Sequence, residues 1–264
     1  MDTGTERMIA RREDGIGWMI FNNPARRNAV SVDMWRAMPT ILNAYVVDPE
    51  VRVIVLAGAG DQAFVAGADI SEFEEQRSGD DAVAAYNTLT EIANSTLVDC
   101  PKPTVAMIRG FCIGGGLAIA LNCDLRIAAE DAQFAIPAAK LGLGYGPAGI
   151  RRLMGLVGPS ATKEIFYTAE RFGVARAREM GLVNRVVPVV ELEAATRKLA
   201  GTIAGNAPLT VAAVKRTVGE LLKDPAQRDL AACEAMVAAC FASEDYKEGR
   251  TAFMEKRKPA FRGR

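Results

Sequence analysis

The residues able to do chemistry in this chain are defined first by an omission. Among 264 residues there is no histidine. A Ser–His–Asp or Cys–His nucleophile is therefore impossible, and so is a His-ligated metal or haem. Acid–base chemistry has to use carboxylates, Lys, Tyr, Cys or bound water. Two glycine-centred segments offer another resource, the backbone itself. The first is Ala63-Phe64-Val65-Ala66-Gly67-Ala68-Asp69-Ile70, and the second is Gly110-Phe111-Cys112-Ile113-Gly114-Gly115-Gly116-Leu117. Each reads as a link from a strand to a helix. Glycine lets a backbone approach a ligand closely, and a helix N-terminus presents unpaired N–H donors with partial positive charge. Two such loops brought together place two N–H groups on one oxygen, an oxyanion hole that needs no side chain. Either loop alone reads equally as a tight turn. The spacing does not fit GxGxxG, and no Gly-Lys-Ser/Thr follows, which disfavours a nucleotide-phosphate loop.

The elements that must position these loops alternate between strand and helix. Arg7–Arg12 and Ile16–Phe21 read as strands joined by the Asp14–Gly15 hairpin signal. Ser31 is placed to cap a helix through Val47, with Met34, Met38, Ile41, Leu42 and Tyr45 at helical spacing. Val51–Ala57 reads as a buried strand, followed by a glycine-rich loop over Gly58–Gly67. Ser71–Asp81 is polar and reads as a mobile connection, and Asp81–Val98 reads as a helix. Thr104–Ile108 is almost wholly apolar, as in a sheet covered on both faces. A helix is expected from the triple glycine to about Asn122, then a strand over Asp124–Ala129. An irregular Gly- and Pro-rich loop over 137–149, helix over 147–181 and a strand over Leu182–Val187 follow. The remainder is helical. This order implies an α/β fold. The break near Gly201–Pro208 suggests a core over residues 1–200 and a helical region over 201–264.

Composition bounds the rest. Thirty-two Lys and Arg balance 32 Asp and Glu, so bulk charge gives no case for nucleic acid or an anionic membrane. The exception is Lys247–Arg264, with seven basic residues against Glu248 and Glu255. The five cysteines form no CxxC pair, which suits reduced thiols in a cytoplasmic protein. Cys112 and Cys123 read as small core residues. The longest apolar run, Gly110–Leu121, is 12 residues, whereas a bilayer span takes about 20.

Several motifs in order resemble one family over nearly the whole chain. They are Asn23-Pro24 with Arg27-Asn28-Ala29, AFVAGADI at 63–70, Pro101-Lys102-Pro103 and GFCIGGGLAIALNCDLRIA at 110–128. Glu179-Met180-Gly181-Leu182-Val183-Asn184, Val186-Val187-Pro188 and SEDYKEGRTAFMEKRKP at 243–259 complete the set. The pattern resembles the crotonase superfamily, the enoyl-CoA hydratase/isomerase family. The resemblance implies an α/β spiral of ββα units with a C-terminal helical trimerisation region. It implies an acyl-CoA thioester as ligand, with coenzyme A part of the substrate and no separate cofactor or metal. It also implies a homotrimer or homohexamer, lyase-class chemistry and a place in fatty-acid metabolism.

Carried over position by position, the resemblance makes the N–H groups of Ala68 and Gly115 the oxyanion donors. Ala66, Asp69 and Ile70 would offer backbone to the adenine. Arg26, Arg27 and Ala29 would line the nucleotide end of coenzyme A, although Arg26 and Arg27 read equally as surface charge. Ile113 and Pro137 join the substrate-binding set. Phe253 and Lys256 would close over the ligand, with Phe253 readable also as packing. The basic C-terminal stretch would meet the anionic CoA phosphates.

Two positions depart from the family. Its hydratases place one glutamate three residues after the second oxyanion glycine and another just after a Phe-x-x-Pro turn. Here these positions are Ala118 and Ala138. The aspartate that serves isomerases is replaced by Gly146. A methyl group transfers no proton, so ordinary hydratase chemistry is not expected. Tyr145 lies in Leu141-Gly142-Leu143-Gly144-Tyr145, which resembles a loop of methylmalonyl-CoA decarboxylases; those enzymes carry a histidine where this chain has Ala68. Tyr145 is a candidate catalytic group or a packing residue. The expected function is an acyl-CoA enzyme that stabilises a thioester enolate. A decarboxylase-like lyase and a non-catalytic acyl-CoA-binding protein are the alternatives.

Overall fold

In a computed structural model of the chain, which describes residues 2–69 and 80–264 (backbone alone over 80–83), Asp14 and Gly15 both take positive φ, 51° and 79°. They close an antiparallel hairpin of β1 (Met8–Glu13) and β2 (Ile16–Phe21). Helix α1 (Val32–Val47) follows. Ser31 stands at its N-terminus, but its hydroxyl donates to the Asp33 carboxylate and does not cap a backbone N–H.

The chain then repeats one unit three times. A strand, β3 (Val53–Gly58), leads through a shorter one, β4 (Ala63–Val65), towards helix α2 (Asp80–Asp99). Next come β5 (Thr104–Ile108), β6 (Phe111–Ile113) and α3 (Gly115–Asn122). Then follow β7 (Leu125–Ala129), β8 (Gln133–Ala135) and α4 (Pro147–Thr168). The first strand of each unit joins one sheet, in the order β1-β2-β3-β5-β7 and then Arg185–Val187 (β10), and the second joins another, β4-β6-β8 and then Phe172–Gly173 (β9). From β2 to β10 the larger sheet is parallel. The result is a spiral of ββα units. β9 (Phe172–Gly173), α5 (Val174–Glu179) and β10 (Arg185–Val187) complete the two sheets.

The larger sheet is covered on both faces, which accounts for its nearly unbroken apolar strands. Ile54, Leu56, Ala106 and Ile108 pack with α1. Alternate residues Val53, Val55, Val105 and Ile127 pack with Leu192 and Ala200 on α6 (Leu192–Ala204). That helix runs through Gly201, so the chain break comes at Gly205–Ala207. Helices α7 (Pro208–Leu221), α8 (Leu230–Ala242) and α9 (Glu244–Met254) follow. The Lys215 ammonium ties α7 to the core through the Asp124 carboxylate at 2.8 Å and the Lys102 carbonyl at 2.9 Å. Between α7, α8 and α9 lies an apolar groove of about 800 Å³, lined in part by Leu209, Val218, Val237, Phe241, Tyr246 and Phe253.

Several local expectations are corrected. The segments read as loops at Gly58–Gly67 and Gly110–Leu117 contain β4 and β6. The pattern over 147–181 is not one helix: α4 is kinked at Gly158 (φ 77°) before Pro159, and β9 interrupts it. The 137–149 segment includes a 3-10 turn over Pro137–Leu141. The final strand starts at Arg185, not Leu182. Three-residue strands are too short for a periodic signal, and only their tertiary partners define them. The polar stretch expected to be mobile falls mostly within 70–79, outside the described residues.

One buried cation organises the end of α3. Arg126 is 3% exposed, and it donates to the carbonyls of Leu182 (2.7 Å), Ala120 (3.2 Å) and Cys123 (2.8 Å). Arg126→Met should keep the volume but strand these carbonyls. Urea denaturation is expected to show a loss of about 3 kcal/mol, since a buried group left unpaired costs ~1–3 kcal/mol. An unchanged midpoint would mean that these bonds contribute nothing net.

Candidate active site

The candidate site is built by two backbone clamps. In the first, Ala66 N–H donates to the Arg27 carbonyl (3.0 Å), Val30 N–H to Gly67 (2.8 Å) and Asp69 N–H to Val30 (3.0 Å). In extended backbone, successive N–H groups point to opposite sides. With Asp69 N–H turned to the 27–30 segment, Ala68 N–H faces away from it. Gly67, at φ 117°, allows the chain to make this turn.

The second clamp starts α3. Gly114 takes φ 53° and its N–H donates to Ala135 (2.8 Å), and Ala118 is the first residue to bond back to Gly114. The N–H groups of the first turn are left without intrahelical acceptors. Gly116 presses on β4 so closely that a β-carbon there would stand 2.1 Å from the Val65 carbonyl oxygen. A β-carbon on Gly115 would lie 3.7 Å from Ala68 N. The structure thus brings together the two loops singled out in the sequence. Among the described residues, neither Ala68 N–H nor Gly115 N–H has an acceptor.

Around these donors the walls are mostly apolar. Pro137 Cδ lies 3.8 Å from where a Gly114 β-carbon would be, which brings the 3-10 turn against the triple glycine. Ala138 is buried on that turn. Between Gly116 and Leu121, Ala118 is the one residue of α3 not buried. Ile113 is half-buried at the end of β6. Tyr145 packs edge-on against Phe166, ring centroids 4.8 Å apart, and burial pushes its phenol up. Its hydroxyl has no hydrogen-bond partner among the described residues. Gly146 caps α4.

The remaining sequence candidates divide. Arg26 pairs with the buried Asp69 carboxylate at 3.1 Å. The Arg27 guanidinium lies over the Phe111 ring, 4.9 Å from its centroid. Ala29 is half-buried, and its carbonyl accepts from the Asn23 side chain. Phe253, 82% exposed, belongs to the C-terminal groove, and Lys256 takes φ 54° just beyond α9. The structure groups these two with the C-terminal helices, not with the glycine loops. Ile70 lies outside the described residues. Cys112 and Cys123 are wholly buried, and desolvation pushes the Cys123 thiol up to about 12. They are core residues, as read.

One feature escaped the sequence reading. Trp35, on α1, lies with Cζ2 3.8 Å from the Gly115 β-carbon position, and its indole N–H donates to the Tyr86 hydroxyl at 3.2 Å. Both belong to apolar helical stripes, where an aromatic residue reads as core. The available signal was Tyr86 at the head of the Tyr86, Leu89, Ala93, Leu97 stripe of α2.

A sequence model of the family described as enoyl-CoA hydratase/isomerase matches residues 11–264. A crotonyl-CoA hydratase of Syntrophomonas wolfei is 36% identical over 256 residues, which is 97% of this chain and 98% of the relative. A short-chain-enoyl-CoA hydratase of Clostridium acetobutylicum is 35% identical over 251 residues, 95% of each chain. A crystal structure of an enoyl-CoA hydratase/isomerase family protein from Hyphomonas neptunium superposes with a TM-score of 0.92, at 36% identity over 100% of both chains.

Gly116→Ala should drive a methyl group into the Val65 carbonyl. Overpacking of this kind costs ~1–3 kcal/mol, and thermal unfolding should show a loss at or above that range. A variant as stable as the parent would mean that α3 can shift away from β4 freely.

Proposed function

We propose, from the premise that the chain belongs to the enoyl-CoA hydratase/isomerase family, that it acts on an acyl-CoA thioester and passes through the enolate of that thioester. The observation that carries this reading is the approach of Ala68 N to Gly115. A thioester oxygen set between the two N–H groups gains charge as the enolate forms, and preorganised donors favour that charge in a water-poor cleft. The N-terminus of α3 adds its partial positive charge on the same side.

Hydration itself is disfavoured in this chain. The relatives carry the names of hydratases. The positions that the resemblance assigns to the hydratase glutamates hold Ala118 and Ala138. Neither methyl can activate water or protonate carbon. Decarboxylation of a malonyl-type thioester is the second reading. It needs the oxyanion hole and a poorly solvated wall more than it needs a carboxylate. That reading rests on the resemblance of Leu141–Tyr145 to the decarboxylase loop and on Tyr145, whose ring is packed against Phe166.

Coenzyme A enters as part of the substrate, without a separate cofactor. Arg26, Arg27, Ala29, Ala66, Asp69, Ile70, Phe253, Lys256 and the basic tail are the proposed nucleotide-side contacts, with Ile113 and Pro137 nearer the acyl group. Residues 1–200 would form the catalytic core and 201–264 the assembly region of a cytoplasmic trimer or hexamer. Val214, Val218, Phe241 and Phe253 are exposed on that region, an apolar surface large for a monomer.

Incubation with a panel of acyl-CoAs, read by mass spectrometry, should show at least one thioester chemically changed. If every thioester returns unchanged, the protein is a binder and the enzyme reading falls. Crotonyl-CoA should hydrate slowly, because each missing acid–base group is worth about 10²–10⁴-fold. Ala118→Glu with Ala138→Glu should raise that rate. Rapid hydration by the unaltered protein would overturn the reading of the two alanines. In sedimentation at micromolar concentration, the protein should run as a trimer or hexamer, and a clean monomer would remove the proposed assembly.

A further inference from the structure

Arg26, Arg176, Arg197 and Arg257 each meet a carboxylate within 3.1 Å. Arg27 and Arg171 are placed differently. Both guanidinium groups are set on one phenyl ring, that of Phe111, with Arg27 Cζ 4.9 Å and Arg171 Cζ 5.8 Å from its centroid. Among the described residues neither has a carboxylate within ion-pair distance. The nearby Asp131 accepts from the Gly110 N–H (3.3 Å) and faces Arg109 (3.7 Å). Glu170, next to Arg171 in the chain, makes no ion pair among the described residues.

The smaller sheet brings the two arginines together. Its order is β4-β6-β8-β9. Arg27 enters from the β4 flank, where its carbonyl accepts from the Ala66 N–H at 3.0 Å. Arg171 enters from the other flank, as the residue just before β9. β9 lies two strand spacings from β6, about 10 Å, a span that a long arginine side chain crosses. The two therefore converge on β6 from opposite sides. Phe111 and Ile113 are half-buried on one face of that strand, and Cys112 is buried on the other. Gln133 stands opposite Phe111 in the register. Its side-chain amide reaches towards β9, with Nε2 3.5 Å from where a Gly173 β-carbon would be.

Two guanidinium groups this close repel each other, and an exposed ring face attracts each of them only weakly. A phosphate shared between them removes the repulsion and accepts forked, charge-assisted hydrogen bonds. The pair is also set back along the strand that leads to the oxyanion donors. β6 puts Phe111 about 7 Å behind Ile113, and the chain from Phe111 to Gly115 spans at most about 14 Å. The pantetheine arm of coenzyme A is long enough to cover that distance from a thioester at Ala68 and Gly115.

We propose that Arg27 and Arg171, seated on Phe111, form a phosphate clamp for the coenzyme A half of the substrate, with Arg171 as its second anchoring residue. The proposal rests on the acyl-CoA reading above. Binding energy gained there, away from the reacting carbon, holds the thioester oxygen against its two donors.

The full-length protein is titrated in a calorimeter with butyryl-CoA and with butyryl-pantetheine, the same acyl arm without phosphates. Arg171→Gln is expected to weaken butyryl-CoA by about tenfold or more, as loss of a hydrogen bond to a charged group does, and to leave butyryl-pantetheine unchanged. Arg27→Gln should show the same split. Arg185→Gln removes an exposed cation from β10, in the other sheet, and should bind butyryl-CoA as the parent does. If Arg171→Gln binds butyryl-CoA as tightly as the parent, or weakens both ligands equally, or if Arg185→Gln weakens butyryl-CoA as much, the clamp is overturned and the acyl-CoA reading stands. If the parent binds neither thioester, the acyl-CoA reading falls and the clamp falls with it.

Discussion

The close approach of α3 to β4 at Gly116 is the constraint on which the cleft depends. A side chain there would collide with the Val65 carbonyl, so the helix can reach this depth only without a β-carbon. The approach carries Gly115 to Ala68, four residues beyond Phe64 in the chain segment that β4 begins. The opposite end of α3 is held as firmly. Arg126 gathers the Ala120 and Cys123 carbonyls together with that of Leu182, and Leu117 and Ile119–Leu121 are buried between the two ends. A helix fixed at both ends and along its apolar face cannot rotate its first turn, and the direction of its unpaired N–H groups follows. Rigid placement is what makes such donors effective, since they need no reorganisation when charge develops.

The electrostatics divide in the same way. The carboxylates with resolved shifts lie mostly away from the cleft and are held by cations or N–H groups. Glu248 is pushed down to about 2 by the Arg257 guanidinium and the Ala260 N–H, and hydrogen bonds hold Asp48 and Glu220 below their usual values. Burial moves the thiols and the phenols of Tyr45 and Tyr145 upwards. With no histidine, the chain keeps few groups that change charge near neutrality.

Much of the fold was legible because it follows from local chemistry. The Asp14–Gly15 hairpin, the apolar strand Thr104–Ile108, α1 and the pair of glycine loops can all be read from residue type and spacing. The strands β4, β6 and β8 were not legible, because three residues carry no period and pairing across the second sheet defines them. The kink at Gly158 was hidden by helical spacing on both sides. At the site, the backbone donors were readable from glycine placement. The packing of Trp35 beneath the Gly115 turn was not, because a helical stripe has the same sequence signature whatever it packs against. Phe253 and Lys256, assigned through the resemblance, lie with the C-terminal helices within one chain.

A pair of donors supplied by peptide groups has an unusual mutational profile. The N–H at position 68 belongs to the main chain and survives almost any substitution of Ala68 except proline. The residue with least freedom to change is Gly116, whose missing β-carbon admits the Val65 carbonyl. Sensitivity to substitution is thereby displaced from the polarising atoms to the packing beneath them. One scaffold can then keep the same pair of main-chain donors while the side chains around them are rewritten.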